Sequence, residues 1–66
     1  MTKGVIRRLV DERGFGFVSN SAGRDIFFHY SQLEGMNSRI LKEGQSVSYR
    51  VGLGAKGLIA KDIKLV

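Results

Sequence analysis

Five of the six aromatic residues in this chain fall between Phe15 and Tyr30, in two short runs, RGFGFV (residues 13–18) and DIFFHY (residues 25–30). No other feature limits the fold so sharply. In an extended strand, successive side chains point to opposite faces. Phe15 and Phe17 then share one face of the first run, with Gly16 and Val18 on the other. In the second run Phe27 and His29 share a face, opposite Ile26 and Phe28. Both faces of this second run are largely apolar, yet a closed sheet has only one inside. One set of rings must point outward.

His29 decides which. Histidine is less at home in an apolar core than isoleucine or phenylalanine. Ile26 and Phe28 are therefore expected inside, with β-branched Val18 beside them. Phe15, Phe17, Phe27 and His29 then form one exposed patch if the two runs pair. Packing every phenylalanine inside would need a bulge in both strands. An exposed aromatic patch on a soluble protein calls for a function.

The rest of the chain supports a sheet. Segments rich in Val, Ile, Phe and Tyr lie between glycine-rich or polar breaks, and helical periodicity is poor. Strands are expected over residues 4–10, 15–19, 25–30, 46–51 and 58–65. A glycine-rich turn, GLGAKG, separates the last two. Ser31 and Glu34 are spaced like a capping box, so one helical turn is expected there. Five short strands in 66 residues predict a single all-β domain over residues 1–66. Closure into a small antiparallel barrel removes the exposed edges that an open sheet would leave.

Charge narrows the partner. Eleven Lys and Arg against six Asp and Glu give a formal charge of +5, a field that favours polyanions, nucleic acid first. Rings together with cations describe a platform for single strands. Stacking holds any unpaired base and cations follow the phosphates, whereas the bases of a duplex are already stacked. Other classes find little support. There is no cysteine and only one histidine, so no zinc-thiolate site is available and no cofactor or metal is expected. GLGAKG lacks the Gly-Lys-Ser/Thr ending of a phosphate loop. Asp25 and His29 share parity but lie too far apart along a strand for joint acid–base work, so no enzyme is expected. No run approaches the roughly 20 apolar residues of a membrane helix, and no secretory signal is visible. A cytoplasmic monomer without a membrane or small-molecule partner is the expectation.

RGFGFV and IFFHY resemble the two ribonucleoprotein motifs of the bacterial cold-shock protein family, which usually read like KGFGFI and VFVHF. LKEGQ (residues 41–45) resembles the family's LEEGQ, and HYSQL (residues 29–33) its HFSAI. The resemblance runs without a gap from Gly4 to Ile63. It implies a five-stranded antiparallel barrel of the oligonucleotide-binding type. It also implies a nucleic-acid surface built from Arg7, Arg13, Phe15, Phe17, Phe27, His29 and Tyr30. Asp25 would accept hydrogen bonds from bases, and Lys56 matches a basic loop position. Parity alone would place Tyr30 in the core; the resemblance places it on the surface.

The departures matter as much. Where the family's first strand reads KWFN, this chain reads RRLV: Arg8 stands for the tryptophan, Leu9 for the phenylalanine and Val10 for the asparagine. Ser38 stands for a loop phenylalanine and Leu58 for a proline. Two stacking rings are missing from the binding face, worth roughly 2–6 kcal/mol of gross stacking. The guanidinium groups of Arg8 and Arg39 can stack on bases and also pair with phosphate. The expected function is a non-catalytic binder of single-stranded RNA or DNA, acting as an RNA chaperone or a regulator of transcription or translation, and leaning more on charge than is usual in the family. The rival is an interaction module for a protein or ribosomal partner, with its nucleic-acid affinity weakened.

Overall fold

The structure is a computed structural model that describes residues 2–33 and 41–66. Its elements in chain order are β1 (Thr2–Val10), β2 (Phe15–Ser19), β3 (Asp25–His29), a 3-10 turn (Tyr30–Gln32), β4 (Ser46–Gly54) and β5 (Gly57–Leu65). The strands close into a barrel in the order β1-β2-β3-β5-β4. Every pairing is antiparallel except the closure of β3 on β5, which is parallel and pairs Phe27 with Ile59. A parallel bridge between Leu33 and Ile63 extends that seam. The expected five-stranded all-β barrel of oligonucleotide-binding type is the observed fold.

The core follows the parity argument. Ile6, Val18, Ile26, Phe28, Leu41, Val47, Tyr49, Ala60 and Ile63 are buried together. Gly16 is buried because the Phe28 ring lies over it. A β-carbon at residue 16 would sit 2.9 Å from that ring and 2.6 Å from the Arg8 carbonyl oxygen. Thus a small residue on β2 makes room for the largest inward ring on β3.

Two local expectations are corrected. First, the last hairpin is tighter than GLGAKG suggested: β4 runs to Gly54, β5 starts at Gly57, and only Ala55 and Lys56 turn. Gly52 and Gly54 read as breaks in sequence. They persist in the strand because the Lys61 and Ile59 side chains lie over them. Second, the helical turn starts one residue early and is capped by His29, whose Nδ1 accepts the Ser31 amide at 3.1 Å. Ser31 is inside the turn, and Glu34 lies outside the described residues.

Tyr49 is fully buried, and among the described residues its hydroxyl has no hydrogen-bond partner. A buried, unpaired polar group costs about 1–3 kcal/mol. Tyr49→Phe is therefore expected to raise stability by about that amount, or about 4–8 °C in Tm for each kcal/mol. Thermal unfolding checks it; a lower Tm would mean that the hydroxyl is satisfied.

Candidate nucleic-acid interface

The three outward phenylalanines form one cluster. Phe15 and Phe27 lie 5.3 Å apart between centroids, and Phe17 lies 6.0 Å from each, edge to face. Register explains this: Phe17 is directly opposite Phe27, and Phe15 is opposite His29. Phe27 keeps 37% of its surface exposed and His29 is exposed, while Phe15 and Phe17 are half-buried. Across a cleft of about 550 Å³, the rings face residues 55–59, the β4–β5 turn with Lys56 and the start of β5. A second hollow, of about 370 Å³, lies at the other end of β1 and β2, and no aromatic ring lines it.

A bulge sets the position of Arg8. Simple alternation would put Arg8 on the same face as buried Ile6. The β1–β2 register instead slips between Ile6 and Arg8, so Ile6 pairs with Val18 while Arg8 pairs with Phe17. The extra residue, Arg7, turns Arg8 onto the ring face, and both arginines are exposed. One row of paired residues therefore crosses all five strands on the outer face: Arg8, Phe17, Phe27, Ile59 and Gly52. In sequence Ile59 reads as an ordinary strand residue and Gly52 as part of a turn, not as members of the site. Only the parallel seam between β3 and β5 brings them into line with the rings.

The remaining expected residues take several places. Asp25 is exposed on the ring face at the far end of β3, opposite Ser19. Arg13 is exposed in the turn between β1 and β2, where its amide donates to the Val10 carbonyl at 3.1 Å. The His29 Nδ1 accepts from the Ser31 amide, which leaves Nε2 to carry the proton in the neutral ring. Arg39 and Ser38 lie outside the described residues.

Tyr30 is not brought into the three-ring cluster. Its ring stacks on Phe28 at 6.0 Å and packs against the core. Its hydroxyl donates to Asp11, and its amide donates to the Gly14 carbonyl at 2.9 Å. Tyr30 thereby ties the turn that carries Arg13 to the end of β3.

Burial, then the hydrogen bond to Asp11 and the charge of Asp11, hold the Tyr30 hydroxyl well above its ordinary pKa of 10.0. The unfolded chain releases that proton above about pH 10 while the folded chain keeps it, so stability falls as pH rises past that point. Tm is expected to drop more steeply from pH 9 to 11 in the wild type than in Tyr30→Phe. Parallel curves would remove the linkage.

A small oligonucleotide-binding-type barrel with rings and arginines on its outer face defines the class, and comparison with known proteins gives the family. Residues 2–66 match the 'Cold-shock' DNA-binding domain family. The major cold shock protein CspA of Pseudomonas aeruginosa is 38% identical over 63 residues, covering 96% of this chain and 91% of that protein. Cold shock protein CspC of Bacillus subtilis is 36% identical over 64 residues, 97% of each chain. Among solved structures, the Drosophila Unr CSD456 structure superposes with a TM-score of 0.80 at 27% identity, covering 98% of this chain. This chain spans only 26% of that one. The chain belongs to the cold-shock domain family, whose members are non-catalytic nucleic-acid-binding proteins. Among the described residues, no helix is long and apolar enough to cross a membrane.

Proposed function

We propose that this protein binds single-stranded RNA or DNA through Arg7, Arg8, Arg13, Phe15, Phe17, Asp25, Phe27, His29 and Lys56, and acts as an RNA chaperone. The observation that carries this reading is the outer-face row in which the cation Arg8 pairs with Phe17, and Phe17 in turn with Phe27. Unpaired bases stack on such rings at about 1–3 kcal/mol each, and the adjoining cation meets the phosphate. Binding an open strand draws a hairpin toward its unpaired form by mass action, without ATP. With Arg8 where the family carries a tryptophan, charge supplies a larger share of the affinity, so binding weakens steeply with salt.

A stem-loop carrying a fluorophore and a quencher at its ends tests the chaperone step. Added protein is expected to open it at low salt, and added salt to close it again. If the wild-type chain binds a single strand but leaves the stem-loop closed, it is a binder without chaperone action.

A further inference from the structure

The ring row does not end at the rings. Ile59, the partner of Phe27, has Lys61 as its next outward neighbour on β5. Lys61 does not stand upright. A β-carbon at Gly52 would lie 2.7 Å from its Cε, 3.0 Å from its Cδ and 3.2 Å from its Nζ. The stem therefore lies flat across Gly52, the residue that ends the row on β4. A glycine inside a strand often marks a place where another group approaches the backbone closely. Here that group is an ammonium, two strand spacings (about 10 Å) from Phe27.

The charges around Lys61 are unfavourable in the free protein. Its direct cross-strand partner is Arg50, and like charges directly opposite each other destabilise a sheet. The nearby carboxylate, Asp62, pairs with Arg50 at 3.8 Å. Among the described residues Lys61 has no acidic partner within ion-pair distance. An uncompensated cation laid down at the end of a row of rings is placed for an anion that arrives along that row.

We infer that Lys61, held flat by Gly52, is a further phosphate-binding residue. A single strand then crosses all five strands of the barrel, from Arg8 over Phe17, Phe27 and Ile59 to Lys61. This rests on the single-strand reading above and adds an end point to its path.

The test compares the wild type, Lys61→Gln, Lys61→Arg, Gly52→Ala and Lys3→Gln, titrated into labelled heptathymidine at several salt concentrations. Each phosphate contact on a single strand contributes about 0.7 to the slope of log affinity against log salt, or about fivefold in affinity at 0.1 M salt. Lys61→Gln is expected to lose both, and Lys61→Arg to keep them. Gly52→Ala keeps every charge but displaces the flexible end of Lys61, so it loses part of the affinity with the fold intact by circular dichroism. Lys3→Gln removes the same charge from the hollow at the far end of β1, and is expected to change affinity less than twofold, because exposed charges are screened beyond about 10 Å. Thermal unfolding of Lys61→Gln should be unchanged or higher, since it relieves the repulsion with Arg50. If the wild type binds and Lys61→Gln matches Lys3→Gln in affinity and salt slope, the role of Lys61 is overturned while the single-strand reading stands. If the wild type does not bind, both fall.

Discussion

Phe27→Ala is expected to weaken binding of a seven-nucleotide pyrimidine strand by about 5- to 150-fold, the equivalent of 1–3 kcal/mol for one lost stacking ring. Phe27 is the ring of choice because it touches both of the others, at 5.3 Å from Phe15 and 6.0 Å from Phe17. It is also the most exposed of the three. Its loss removes one base's platform and loosens the two beside it. Fluorescence anisotropy gives the affinity, and circular dichroism checks that the barrel persists. Undiminished affinity in a folded variant would take the rings out of the binding account.

The next residue along the chain is expected to behave in the opposite way. Phe28 is fully buried, stacks on Tyr30 and lies over Gly16. Truncating a buried phenylalanine to alanine costs about 3–5 kcal/mol. A domain of this size has a total stability of only about 3–10 kcal/mol. Phe28→Ala should therefore be largely unfolded at 37 °C, or fold only in the cold, while Phe27→Ala keeps most of its stability. Urea unfolding of the two variants side by side separates the faces. Equal losses of stability would mean that both rings belong to the core.

That contrast between neighbours was legible in the sequence, because period-two alternation and the polarity of His29 fix which ring goes in. The same alternation puts Val18 and Ile26 inside and sets Phe15, Phe17 and Phe27 on one outward face. Where alternation breaks, it gave the wrong neighbour or none. The bulge at Arg7 depends on how β1 pairs with β2, so alternation alone could not bring Arg8 beside Phe17. Gly52 and Gly54 looked like turn residues, since nothing in a linear reading shows that Lys61 and Ile59 fold over them. At Tyr30 alternation and resemblance point to different places, and the half-buried residue meets both: its ring rests on Phe28, and its hydroxyl donates to Asp11 at the surface.

A direct titration of a labelled seven-pyrimidine strand with the wild-type chain, at low and moderate salt and beside a duplex of the same sequence, tests the platform most directly. Stacking on exposed rings combined with phosphate contacts predicts binding of the single strand at micromolar concentration or tighter. It also predicts much weaker binding of the duplex and a steep loss of affinity with salt. Equal affinity for the duplex would make the surface a plain cationic patch. No binding even at low salt would contradict the platform itself and turn the search toward a protein partner.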